Sequence, residues 1–325
     1  MRFPRSVAAL GLAAIFIVAA CGSSTSSPSG SASGSPRASG SGGSGTPRPT
    51  TAAGATPVVT DSQAPTERTP IASVSPDQLI FADRLLICSD IPYPPMEFFD
   101  DEGNPIGFDI DMGREIAARL GLELVVVNSV FDSIISAVNG GKCDIILSSM
   151  NITADRKKQI DFITYFQAGQ AFVVAKDNPE NIHTQEDLCG KSVAAESGTT
   201  EVDYLQGTSD YEGQGLSAAC EAAGLEPIDI QTFQKDSDAL LALQGGQVSS
   251  YFADSPVAGF YVQQHPESFE LSGLALDVIK QGIGVPKEKP DLQAQVRRAL
   301  SSMVRDGTYL SLLEQWGLQD GNVFS

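Results

Sequence analysis

From residue 84 onward, short apolar runs alternate with amphipathic segments along the chain. Residues 84–89 (RLLICS) predict a strand. Residues 107–120 predict a helix, with Ile110, Ile116, Ala117 and Leu120 on one side and Gly121 as its stop. A buried strand at 122–127, a helix at 132–139 closed by Gly140 and Gly141, and a strand at 144–147 follow. This alternation predicts an α/β fold with a parallel sheet and right-handed crossovers. The pattern then starts again. Strands are expected at 171–174, 191–195, 227–233 and 250–253, with helices at 216–223, 237–243 and 255–264 between and after them. Two sets of strand ends predict two lobes. The last part departs from the alternation: a short strand at 279–285, then amphipathic helices at 291–305 and 309–316 that return to cover the first lobe.

The first 74 residues read differently. A basic start with Arg2 and Arg5 precedes an apolar run, residues 7–20. About 14 residues is short of the ~20 that a membrane span needs, and the layout fits a secretory leader. Val18-Ala19-Ala20-Cys21 looks like a lipobox, the site where bacterial lipoproteins are cleaved and a diacylglycerol is placed on the cysteine. Residues 22–74 are rich in Ser, Gly, Pro and Thr, with Val58 and Val59 almost alone as large apolar residues before Ile71. Such a stretch cannot bury enough surface to offset its ordering entropy, so a disordered tether is expected. As a flexible coil, ~50 residues would reach roughly 40 Å.

Composition narrows the chemistry. A formal charge of −19, lowered by two more when Arg2 and Arg5 leave with the leader, argues against nucleic acid as a partner. With no Cys-x-x-Cys and only His183 and His265, neither a Cys/His metal site nor a histidine-based nucleophile triad is expected. The informative stretch is 144–156. An apolar strand ends in Ser148 and Ser149, a polar turn follows, and Arg156 falls in the first turn of the next helix. Open α/β sheets bind small molecules at the carboxyl ends of their strands. A guanidinium placed there can grip a carboxylate through two parallel hydrogen bonds.

Several short motifs stand in one order over about residues 80–317. They are Ser89-Asp90-x-x-Tyr93-x-Pro95-Met96-Glu97-Phe98; Gly107-Phe108-Asp109-Ile110-Asp111; Phe131-Asp132-x-Ile134-Ile135; Ser148-Ser149-Met150-x-Ile152-Thr153-x-x-Arg156; Ile160-Asp161-Phe162; Gly198-Thr199-Thr200; Asp254; and Asp306-Gly307-Thr308-Tyr309. In this order the chain resembles the extracellular solute-binding proteins of polar amino acid ABC importers. The resemblance implies a two-lobed, Venus-flytrap fold of the periplasmic-binding-protein type II kind. Lobe 1 would be 75–172 plus 280–325, and lobe 2 would be 173–279, joined by crossover strands near 170–175 and 278–285. Closure would be a hinge motion over the ligand.

The resemblance also implies roles. Arg156 would clamp the ligand α-carboxylate, helped by Thr199 and Thr200 at a helix start, where capping is the alternative role. Asp254 would pair with the α-ammonium, its alternative being an N-cap for the following helix. Ser149, Asn151 and, less directly, Ser148 would contact the ligand backbone; Asn151 departs from the commoner Ser or Thr. Tyr93 and Phe131 would sandwich the ligand's stem. Asp90 and Glu196 would face its side chain, and two acids there would favour arginine, lysine or ornithine, with glutamine next. Cys189 and Cys220, in one lobe, are expected to form a disulfide. Cys88 and Cys143 are not, because a strand offset at ~3.3 Å per residue exceeds the ~7 Å a bridge allows. The expected protein is a monomer without cofactor, anchored through lipid on Cys21 to the extracellular face of the bacterial cytoplasmic membrane. It would deliver an amino acid to an ABC permease with its ATPase. The alternatives are a cyclohexadienyl dehydratase-like lyase on the same fold or a ligand sensor.

Overall fold

The structure is a computed structural model and describes residues 58–60, 68–276 and 278–324. The leader and Cys21 lie outside the described residues, as does most of the expected tether. In chain order the strands are β1 (Val58–Thr60), β2 (Arg84–Ser89), β3 (Phe98–Phe99), β4 (Pro105–Ile106), β5 (Glu123–Asn128), β6 (Ile145–Ile146), β7 (Ile160–Ala168), β8 (Gln170–Ala175), β9 (Ser192–Glu196), β10 (Asp229–Phe233), β11 (Ser250–Asp254), β12 (Phe269–Ala275) and β13 (Ile279–Pro286). The helices are α1 (Phe108–Leu120), α2 (Ile134–Asn139), α3 (Ala154–Gln159), α4 (Thr200–Gln206), α5 (Leu216–Ala222), α6 (Asp236–Gln244), α7 (Ser255–Gln264), α8 (Pro290–Asp306) and α9 (Thr308–Trp316).

Two sheets organise these elements. The first has the order β1-β5-β2-β6-β13-β7 and the second β10-β9-β11-β8-β12. The pairs β5–β2, β2–β6, β10–β9 and β9–β11 are parallel. The returning strands β13 and β8 pair antiparallel with their neighbours. The chain passes from one sheet to the other at Gly169, between β7 and β8. It returns between Ala275 and Ile279.

Both faces of the first sheet are covered, which a parallel sheet requires. Along β2, Leu85 and Ile87 join one apolar cluster while Leu86 and Cys88 join another. That alternation follows from the period of two in an extended strand. α1 forms where apolar positions recur at helical spacing, burying Met112, Ile116 and Leu120. Acidic Asp109 and Asp111 in its first turn and Arg119 in its last suit the helix dipole. It begins at Gly107, whose φ is +128 and where an added Cβ would lie 2.2 Å from the Met96 carbonyl oxygen. The nine-residue β7 and the seven-residue β12 were not expected from the pattern.

Two expectations are corrected. Within 22–74, Val58–Thr60 is a strand, paired antiparallel with β5 at Val58↔Val127, Val59↔Val126 and Thr60↔Val125. It covers an edge that β5 would otherwise leave open, and valines suit that role. Residues 68–74 also hold to the domain. Ile71 N–H donates to the Arg119 carbonyl at 2.9 Å, Arg68 Nε meets Glu115 Oε2 at 2.8 Å, and Val74 is buried. Cys88 and Cys143 are bridged, with Cα atoms 5.6 Å apart. The strand offset does not apply, because β6 starts only at Ile145 and Cys143 follows the turn that ends α2. Cys143 packs in the same apolar cluster as Cys88 rather than in line with the strand. Cys189 and Cys220 are bridged as well, at 5.5 Å between Cα atoms. Among the described residues no helix is long and apolar enough to cross a membrane.

Candidate functional site

Strand ends and helix starts from both sheets converge on one small cavity. All eleven ligand residues expected from the sequence line it: Asp90, Tyr93, Phe131, Ser148, Ser149, Asn151, Arg156, Glu196, Thr199, Thr200 and Asp254. Glu97 and Glu201 complete the lining.

Arg156 owes its position to α3. Thr153 is the N-cap, and its hydroxyl accepts from the Arg156 N–H at 3.1 Å. The buried guanidinium donates from Nη1 to the Asn151 carbonyl at 2.7 Å and from Nη2 to the Gly198 carbonyl at 2.9 Å. It lies over the Phe131 ring, 5.2 Å from the centroid, where the negative face of the ring attracts a cation. Burial pulls its pKa below the ordinary value, against the pull of the Glu201 carboxylate.

Asp254 ends β11 and stands at the N-cap position of α7, but its side chain makes no capping hydrogen bond. It accepts instead from Tyr93 Oη at 3.1 Å, Gln281 Nε2 at 2.9 Å and Asn151 Nδ2 at 3.3 Å. Burial holds its carboxyl well above the usual carboxylate range, and nearby Glu201 raises it further. Thr199 is likewise the N-cap of α4 by position without a side-chain cap; its hydroxyl donates to the Glu196 carbonyl at 2.7 Å. The Thr200 hydroxyl accepts from Asn151 Nδ2 at 2.7 Å and from Gln170 Nε2 at 3.0 Å, and lies 3.2 Å from Glu201 Oε2. The Asn151 amide, where the sequence departs from Ser or Thr, therefore bridges Thr200 and Asp254.

Ser148 donates to Glu97 Oε1 at 2.6 Å and accepts from the Asp90 N–H at 2.9 Å. Ser149 has φ +43, in the left-handed region that a non-glycine residue enters only at a cost. Its N–H is held by Asp109 Oδ2 at 2.8 Å. Four buried wall atoms, Glu97 Oε2, Ser149 Oγ, Asn151 Oδ1 and Glu201 Oε1, have no hydrogen-bond partner among the described residues. Leaving such groups unpaired costs ~1–3 kcal/mol each.

Asp90 and Glu196 both reach the cavity, but neither is a free anion. Asp90 accepts from the Phe131 N–H at 2.5 Å and forms an ion pair with Lys235. The buried Glu196 accepts from the Asp236 N–H at 3.1 Å. It is pushed up to about 10, first by burial and then by the negative charges of Asp90 and Asp236. Its surroundings therefore favour the uncharged form.

Sequence reasoning missed Glu97, Glu201, Gln281 and Lys235. Glu97 stood in a quoted motif and Glu201 follows Thr200 directly. Lys235 left one signal: it is the N-cap of α6, where a cation opposes the helix dipole and Ser, Thr, Asp or Asn is preferred.

A two-sheet α/β fold with a polar cavity between the sheets defines a class of small-molecule receptors. The model of the bacterial extracellular solute-binding proteins, family 3, matches residues 85–319. The chain belongs to that family; it is an extracellular solute-binding protein and not an enzyme. It is 30% identical over 251 residues to the arginine-binding protein ArgT of Corynebacterium glutamicum, covering 77% of this chain and 80% of that protein. It is 26% identical over 233 residues to the L-cystine-binding protein TcyJ of Escherichia coli, covering 71% and 82%. Among solved structures, an ancestral arginine-binding protein bound to arginine superimposes with a TM-score of 0.65. That match is at 34% identity and covers 72% of this chain and 98% of that one.

Proposed function

We propose that this protein captures a polar amino acid as its zwitterion and delivers it to an ABC permease with its ATPase. The reading assigns the α-carboxylate to Arg156 with Thr200, and the α-ammonium to Asp254. One observation carries it. A guanidinium able to make paired hydrogen bonds faces the same small cavity as a wall rich in acceptors, where four buried side-chain oxygens have no partner among the described residues. An ammonium brings three donors to such a wall. The relatives named for arginine and cystine support the amino acid class. Tyr93 and Phe131 flank the stem, while Asp90 and Glu196 face the side chain.

In this proposal the two lobes, one built on the six-stranded sheet and one on the five-stranded sheet, swing about the chain crossings at Gly169 and between Ala275 and Ile279. A lipid on Cys21 holds the monomer at the outer face of the membrane. A thermal-shift screen against the twenty amino acids plus ornithine and citrulline tests the reading. Stabilisation confined to a few polar amino acids is the expected result. No stabilisation by any amino acid, with turnover of prephenate or arogenate, would replace it with the lyase reading.

A further inference from the structure

Asp90 and Glu196 alone would make an acidic end to the cavity, suited to a cationic side chain. The five-stranded lobe changes that. Lys235 precedes α6 and its backbone is fixed there, the carbonyl accepting from the Asp238 N–H at 3.1 Å and the Ala239 N–H at 3.3 Å. Its side chain crosses to the six-stranded lobe. There the ammonium pairs with Asp90 and lies 3.4 Å from Asn128 Oδ1 and 3.3 Å from the Ser129 carbonyl. The Asp90 side chain is 4% exposed and the Lys235 side chain 24%, so the pair is partly shielded and screened by salt less than a surface pair. Lys235 is not itself one of the lining residues; it acts on the cavity through Asp90.

We propose that Lys235 is a specificity-determining residue that neutralises Asp90 and turns the side-chain end of the cavity from cation-selective to amide-selective. The inference rests on the amino acid reading of the site. Two acceptor sites of Asp90 are taken, one by Lys235 and one by the Phe131 N–H. A guanidinium or ammonium from a ligand would share one carboxylate with a resident cation, and like charges at that range repel strongly. A neutral amide meets no such penalty. Glu196, pushed up to about 10 first by burial and then by Asp90 and Asp236, has one oxygen on the Asp236 N–H and in its uncharged form adds no attraction for a cation. The ligand class selected is therefore an amino acid with a carboxamide or ureido tip, glutamine or citrulline, over arginine, lysine or ornithine. This reverses the preference that the two acids alone suggest.

Calorimetric titration of L-glutamine and L-arginine into the purified protein and two variants tests the idea. Lys235→Asn removes the cation and places a preferred N-cap residue at the start of α6, so the helix is retained; Lys235→Met is the second choice if it fails to fold. Lys235→Arg keeps the charge. The wild type should bind glutamine more tightly than arginine. Lys235→Asn should move the affinity ratio toward arginine by about tenfold or more, while Lys235→Arg stays within about threefold of wild type. A merely structural lysine would weaken both ligands alike and leave the ratio unmoved. An unchanged ratio in Lys235→Asn, or a wild type that prefers arginine, overturns the proposal. Failure of the wild type to bind any amino acid is a different result; it overturns the zwitterion reading and this inference with it.

Discussion

Replacing Arg156 with alanine is the most direct test of the zwitterion reading. The substitution removes both guanidinium hydrogen bonds, to the Asn151 and Gly198 carbonyls, and the contact with the Phe131 face. It leaves the Thr153 cap on the Arg156 N–H in place, because that bond uses the backbone. α3 should therefore persist. For a bound amino acid the loss is larger. A charge-assisted hydrogen bond contributes ~1.5–3 kcal/mol, and the paired geometry supplies two. Removing one partner also strands a carboxylate in a buried site, a loss of ~3–5 kcal/mol in total. At ~1.4 kcal/mol per decade, Kd should rise by about a hundredfold to a few thousandfold. Arg156→Lys restores the charge without the fork and should recover part of that loss. Calorimetry on wild type, Arg156→Ala and Arg156→Lys gives the comparison, with the melting temperature of each as the fold control. An Arg156→Ala variant that folds and binds within about threefold of wild type would refute the clamp.

Two further outcomes follow from the geometry. Gly198 has φ +80, and an added Cβ would sit 2.7 Å from the Asp132 Cα on the other lobe. Gly198→Ala should thus hinder lobe closure, lowering affinity by about tenfold or more as the competent fraction falls. Its stability should fall only by the ~1 kcal/mol of a left-handed alanine; equal affinity in titration would contradict the contact. Opening the Cys88–Cys143 bridge by double replacement with alanine frees a 55-residue loop, worth about 4 kcal/mol in chain entropy. Urea unfolding should show a loss of that order, and a loss under ~1 kcal/mol would count against the bridge.

Much of this molecule is legible in the sequence because its signals are local. The 84–89 strand, the glycine-stopped α1 and the Ser148–Arg156 turn each carry their own periodicity or punctuation. All the expected ligand residues meet in one cavity because strand ends of a parallel sheet share an edge. What escaped depends on partners distant in sequence. β7 mixes buried and half-buried positions without clean alternation, since its pairing with β13 rather than its own pattern keeps it extended. Val58 and Val59 looked like stray apolar residues until β5 supplied an edge. Cys143 lies in the turn between α2 and β6, so counting its offset from Cys88 along the strand direction overstates their separation. Lys235 shows the same limit in the site itself. A lysine among acids in a polar stretch reads as solvated surface, and only the approach of the other lobe brings it against Asp90.

The two cross-links have a mechanical meaning. Cys88–Cys143 lies within the part of the chain that builds the six-stranded sheet, and Cys189–Cys220 within the part that builds the five-stranded one. Among the described residues no disulfide joins the two parts; only the two backbone crossings do. Each jaw is stapled to itself, and the joint is left unstapled. One staple sits two residues before Asp90 on the strand that delivers it, so oxidation stiffens the tooth as well as the jaw. Reduction would soften the grip without jamming the hinge. Oxidation after export would thus finish a gripping tool whose moving part never depended on it.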